Sequence, residues 1–208
     1  MSQGQTGNSG SMKKKHLILI ASGALIIPLL YFFDVPLWQA ARDLVEPDYL
    51  YIPEFFTHYG LYLFYMIFGG IGIYAFVKKK RNLIVLCLAY IITQLVFSLM
   101  VVRLLKIVFG RARPGWGTEF TFFATRFKYN AFPSGHSADA FVSGVFLFYL
   151  LNQSKYAGYR FWPLIYAFLI AISRVFVSSH YPSDVAAGMA IGIMGAWFSI
   201  SRCQDQSN

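Results

Sequence analysis

Charge is what this 208-residue chain has least of: only 13% of its residues are Asp, Glu, Lys or Arg. An ordinary soluble domain carries about a quarter. A chain that is 57% hydrophobic and 19% aromatic, with a mean hydropathy of +0.51, lacks the polar surface a water-soluble fold of this size needs. Acid is scarcer still, with nine Asp and Glu against eighteen Lys and Arg, which excludes a carboxylate-rich two-metal centre. Two cysteines, Cys87 in an apolar run and Cys203 in the polar tail, exclude a disulfide framework. The net charge of +9 invites a nucleic-acid partner, but the basic residues sit at the ends of apolar segments and form no continuous face, so none is expected.

What the chain does have is long hydrophobic runs. Six can be drawn, at 17–33, 55–77, 82–105, 137–152, 161–179 and 184–200. A spanning helix takes about 17–25 residues, so the first, fourth and sixth must borrow length from their flanks. The expected fold class is therefore all-α, a polytopic membrane protein of six transmembrane helices, with the bilayer as its principal environment. Residues 1–11, MSQGQTGNSGS, read as an added leader, leaving 12–208 as a single domain. Within 34–54, Leu37, Trp38, Ala41, Leu44 and Val45 recur at helical spacing between Arg42, Asp43 and Glu46. With Asp34 and Pro36 as a start and Pro47 as a stop, they predict a short interfacial helix; a packed connector fits the same residues.

Lys13–Lys15, the KKKR run at 78–81, Lys155, Arg160 and Arg202 place both termini in the cytoplasm. Ten basic residues fall inside and eight outside, six of the latter within 103–128. The same topology puts three polar clusters on the outer face. They are KIVFGRARP at 106–114, PSGHS at 133–137 and SRVFVSSHYPSD at 173–184. Each alone has a bland reading: a snorkelling lysine, a turn before a helix, a structural His–Asp hydrogen bond. Together they make a phosphate site. Lys106, Arg113 and Arg174 supply cations, Ser134 and Gly135 open a helix whose free N–H groups attract an anion, and His136 and His180 bring acid–base and nucleophilic capacity. His136, Asp139, His180 and Asp184 also look like metal ligands, but three neighbouring cations would repel a divalent ion, so no metal and no cofactor is expected.

These three stretches resemble the type 2 phosphatidic acid phosphatase superfamily, whose pattern Lys-x6-Arg-Pro, Pro-Ser-Gly-His and Ser-Arg-x5-His-x3-Asp they match in order. The resemblance covers nearly everything after the leader and implies a lipid phosphatase. His180 would attack phosphorus to give a phosphohistidine and Asp184 would hold its other ring nitrogen. His136 would protonate the leaving alkoxide, while Lys106, Arg113, Arg174, Ser134 and the Gly135 amide would bind phosphate. It also implies a bacterial inner-membrane location with the site facing the periplasm or exterior, a membrane lipid phosphate as substrate and no obligatory protein partner. The compact form and basic rim look most like enzymes acting on lipid A 1-phosphate, with phosphatidylglycerophosphate and undecaprenyl diphosphate as alternatives. A non-enzymatic lipid carrier or channel would need polar groups through the membrane depth, where Thr93, Gln94 and Asp139 are the few present. A soluble haloperoxidase is disfavoured by the spans. Arg103, Arg111, Arg126 and Lys128 read as interfacial contacts, and the aromatic stretch 115–132 as a segment at headgroup level.

The topology makes a direct prediction. With Cys87 and Cys203 replaced, a cysteine at Thr118 should react with an impermeant thiol reagent added to intact cells; reaction only after lysis would invert the orientation.

Overall fold

The computed structural model describes residues 27–205, whose regular elements are all helices, without a strand among the described residues. Helix α1 is described over 27–44, followed by α2 (Tyr51–Val77), α3 (Arg81–Phe109), α4 (Gly135–Asn152), α5 (Trp162–Phe176) and α6 (Pro182–Asp205). The leader, Lys13–Lys15 and residues 17–26 of the first expected span lie outside the described residues.

Among the described residues, four segments are long and apolar enough to cross a membrane: Pro47–Val77, Arg81–Phe109, Ala157–Phe176 and Pro182–Gln204. At about 1.5 Å per residue, the 29 residues of α3 reach about 43 Å, more than the roughly 30 Å of a hydrocarbon core. Their apolar side chains point outward. Only 22% of the most apolar window of α2 and 17% of that of α3 are buried, with Met66, Ile73, Phe76, Ile92 and Leu99 exposed. A soluble helix has its apolar stripe turned in; here lipid is the medium that accounts for the pattern.

The fourth expected span behaves differently. Helix α4, of 18 residues, packs most extensively against α5 and α6 and buries Ala138, Ala140, Phe141, Val142, Ser143 and Phe146. Ser137, Asp139 and Ser143 dilute its hydropathy, and it is a core helix rather than one of the four. Asp139 accepts hydrogen bonds from the Tyr65 hydroxyl and, at 2.7 Å, from the Gln94 amide, so polar side chains join α2, α3 and α4 within the bundle.

The interfacial helix expected to start at Asp34 is not a separate element. α1 runs unbroken through Asp34 and Pro36 to residue 44. Asp34 does not cap a helix start because its carboxylate is 1% exposed and bound to Arg111 and to Ser183 on α6. Trp38 on the same helix donates to Ser178 Oγ at 3.0 Å.

Small residues set how closely the helices approach. A Cβ at Gly188 on α6 would stand 2.2 Å from the Ser134 carbonyl oxygen, and one at Gly192 would stand 2.3 Å from that of Ala138. One face of α6 is thus pressed onto the backbone of α4 at the PSGHS turn, as small-residue pairs four apart allow. Gly69, Gly70 and Gly72 on α2 have nothing within 4 Å of such a Cβ and serve no close contact. A Gly188→Val variant should lose about 1–3 kcal/mol, the cost of overpacking, whereas Gly70→Ala should be near neutral. Thermal unfolding in detergent checks the contrast.

Candidate active site

Three short loops at one end of the bundle carry the polar residues, and each is fixed by its own backbone chemistry. Lys106 lies in the last turn of α3, which ends at Gly110 in the left-handed region (φ +50). Only glycine suits this turn, because a Cβ there would meet the Thr121 carbonyl oxygen at 1.9 Å. Beyond it, 111–131 folds back on itself. Thr121 N donates to Gly110 O (2.9 Å), Ala112 N to Glu119 O (3.0 Å), Arg113 N to Lys128 O (3.0 Å) and Ala131 N to Arg111 O (3.1 Å). Arg113 emerges with its guanidinium 4.0 Å from the centre of the Phe127 ring, a stacking that leaves its N–H fork free for an anion.

Ser134 caps α4, its hydroxyl accepting from the Ser137 amide (3.4 Å) and paired with the Ser137 hydroxyl (2.9 Å). It is fully buried and is not among the residues lining the cavity below; what the structure shows of its hydroxyl is the capping role. Capping still serves the site, because it aims the first turn, with Gly135 and His136, at the cavity. The Ser134 amide donates to Asp184 O at 2.9 Å, tying this turn to the start of α6.

Arg174 stands in the last turn of α5, 7% exposed. Its carbonyl accepts from the amides of Ser179 (3.0 Å) and His180 (3.1 Å), wrapping the loop so that His180 faces back toward it. Ser178 takes the left-handed conformation (φ +55) at this bend.

Lys106, Arg113, Gly135, His136, Arg174 and His180 all line one cavity of about 600 Å³. The expectation that distant segments share one pocket is met for these six. Helix α2 adds Glu54, Thr57 and His58, which the sequence reading did not include, and Arg103 joins the rim. None of Lys106, Arg113 and Arg174 has a salt-bridge partner among the described residues, and the Nε atoms of both arginines are buried without a hydrogen bond. Lys106 Nζ donates to the Asn130 carbonyl at 2.6 Å, a neutral acceptor. One buried and two half-buried cations without an ion-pair partner call for an anionic ligand, and tetrahedral phosphate satisfies several donors at once.

His180, 2% exposed, is held well below the ordinary imidazole range, first by burial and then by Lys106, Arg174 and Arg113. Its ring is therefore neutral, the state in which a nitrogen lone pair is available for attack. Asp184 is behind it. Its Oδ2 is 3.8 Å from His180 Nδ1, longer than a hydrogen bond, and accepts instead from the Tyr181 amide at 2.8 Å. Asp184 Oδ1 binds Arg111 at 2.7 Å. Arg111 is not an interfacial residue; it is completely buried. Asp34, the partner on its other side, carried one sequence signal: a carboxylate closing an apolar run is costly and needs a partner. Among the described residues no three His, Cys, Asp or Glu side chains are grouped to hold a metal ion.

Comparison with known proteins places the chain in a family and beside solved folds. The model of the PAP2 superfamily matches residues 82–207. A lipid A 1-phosphatase of Rhizobium etli is 38% identical over 117 residues, covering 54% of this chain and 47% of that protein. The chain spans about half the length of the curated relatives it matches. The crystal structure of Aquifex aeolicus LpxE superposes with a TM-score of 0.58 at 27% identity, over 81% of this chain and 95% of that one. A transmembrane PAP2-type phosphatidylglycerolphosphate phosphatase from Bacillus subtilis, 22% identical, shares the fold with a TM-score of 0.65 over 89% and 96%.

Removing one guanidinium tests the anion reading. Arg174→Ala should weaken binding of inorganic phosphate by about ten- to a hundredfold, the worth of charge-assisted hydrogen bonds. Phosphate-dependent stabilisation against thermal unfolding measures it.

Proposed function

The chain belongs to the PAP2 superfamily, and we propose that it is an integral-membrane lipid phosphatase working through a phosphohistidine. The observation that carries this reading is the convergence of Lys106, Arg113, Arg174, His136 and His180 on one cavity, with no salt-bridge partner for the three cations among the described residues. In the first step His180 Nε2 forms a bond to phosphorus as the P–O bond to the lipid breaks, and His136 gives its proton to the departing alkoxide. In the second, His136 takes a proton from water as the water oxygen bonds to phosphorus and the N–P bond breaks, releasing inorganic phosphate. Asp184 orients His180 and offsets the imidazolium charge. Lys106, Arg113, Arg174 and the first amides of α4 hold the phosphate oxygens as charge builds on them. No metal is required by this scheme.

Lipid A 1-phosphate is the substrate we favour. The similarity to the Rhizobium etli lipid A 1-phosphatase supports it. We further infer that α1 and α4 complete a six-span bundle in a bacterial inner membrane, with the cavity on the outer side and both termini inside. Purified protein in detergent with chelator should release phosphate faster from lipid A than from phosphatidylglycerophosphate or undecaprenyl diphosphate. His180→Ala should lose turnover by about a thousandfold or more. Equal rates for the wild type and the variant would overturn the assignment; equal rates on all three lipids would overturn the substrate.

A further inference from the structure

Behind His180 lies a buried row of alternating charge that begins on α1. Arg111 Nη2 donates to Asp34 Oδ2 at 2.6 Å and Nη1 to Asp184 Oδ1 at 2.7 Å, with exposures of 0%, 1% and 0% for Arg111, Asp34 and Asp184. Ser183 binds Asp34 and Arg111: its amide donates to Asp34 Oδ1 (2.8 Å), its hydroxyl to Asp34 Oδ2 (2.5 Å), and Arg111 Nη1 donates to Ser183 Oγ (2.7 Å). The guanidinium also lies against the rings of Tyr181 (4.5 Å) and Tyr31 (4.9 Å). Asp34 precedes the stretch that matches the family model, which begins at residue 82.

The charge count shows what this row does. An Asp184 paired with Arg111 alone would form a neutral couple and present little negative potential to His180. Asp34 cancels the Arg111 charge, so the three side chains together keep one net negative charge beside the imidazole. That charge matters because His180 is otherwise ringed by cations or bases: Lys106 from α3, Arg113 from the 111–131 loop, His136 from α4 and Arg174 from α5. Glu54 and His58 of α2 stand farther round the same cavity, and Asp184 of α6 is the carboxylate nearest the ring.

We propose that Asp34 and Arg111 are positioning residues for His180: Arg111 holds the Asp184 carboxylate from behind, and Asp34 neutralises Arg111 so that Asp184 can offset the imidazolium of the phosphorylated intermediate. The proposal rests on the reading of His180 as nucleophile, and the experiment separates the two.

Wild type, Asp34→Asn, Arg111→Gln, the double variant and Asp184→Asn are compared in detergent on one lipid phosphate for kcat, KM and the pH profile of kcat/KM. Asp34→Asn removes negative charge. It should lower kcat by about tenfold or more with KM within about twofold, and move the acid limb to lower pH by about one unit. Arg111→Gln removes positive charge and should move that limb to higher pH. The double variant restores the balance and should return the limb toward wild type while recovering much of the kcat lost in Asp34→Asn. Thermal destabilisation with an unmoved acid limb in both single variants would overturn the proposal and leave the row a structural tether. An unchanged kcat and limb in Asp184→Asn would remove Asp184 from the mechanism and overturn the proposal with it, whereas wild-type turnover in His180→Ala would remove the nucleophile reading beneath it. If the neutral variants fail to fold, Arg111→Lys keeps the charge and loses the two-carboxylate fork; a lower kcat with an unmoved limb supports the positioning role, and an unchanged kcat overturns it.

Discussion

Everything in this structure turns on holding three like charges together where water is scarce. Lys106, Arg113 and Arg174 converge from α3, a loop and α5 with no carboxylate paired to any of them. Mutual repulsion and lost hydration both oppose that arrangement. It persists because none of the three is free to leave. Lys106 is anchored by a carbonyl at 2.6 Å, Arg113 by the Phe127 ring, and Arg174 by a helix end whose carbonyl gathers the next loop. An arriving phosphate relieves the repulsion, so its binding draws on strain already stored at the rim.

The same constraint explains where the rigid parts are. The 111–131 segment would be a long loop in an ordinary fold, but four backbone hydrogen bonds fold it against itself. The turn that presents His136 is clamped from two sides, by the Asp184 carbonyl and by the bare backbone face at Gly188. Lipid supplies little force to press helices together, so close contact at small residues carries the packing that water would drive elsewhere. The geometry of the site and the packing of α4 on α6 are thus one problem.

How much of this was legible beforehand follows from what sequence can encode. The three polar stretches were legible because an ionisable group at the end of an apolar run needs a reason, and three such runs together leave few. The pocket-lining role of Lys106, Arg113, His136, Arg174 and His180 follows from their types. Ser134 and Arg111 were not legible in the same way. Both sit beside the right residues in the chain, yet one turns its hydroxyl into the helix end and the other turns away from the cavity. Orientation at a bend depends on dihedrals that neighbouring letters do not specify. Asp34 resembled a helix start because its partner lies 77 positions away. The fourth hydrophobic run was short for a span by length, and its place at the centre of the packing was not legible, since hydropathy alone does not say which helix the others surround.

Asp34 also bears on where the functional unit ends. The part that matches the family model begins at 82, and a chain cut there would keep every cavity-lining Lys and Arg together with His136 and His180. It would leave Arg111 facing Asp184 with no second carboxylate, and the Ser178 hydroxyl without its Trp38 partner. Arg111 and Asp184 would then form a neutral couple, and the net negative charge that the intact row keeps behind the histidine would be gone. The α1 segment is therefore wired into the site through electrostatics, although it places no side chain among the residues that line the cavity.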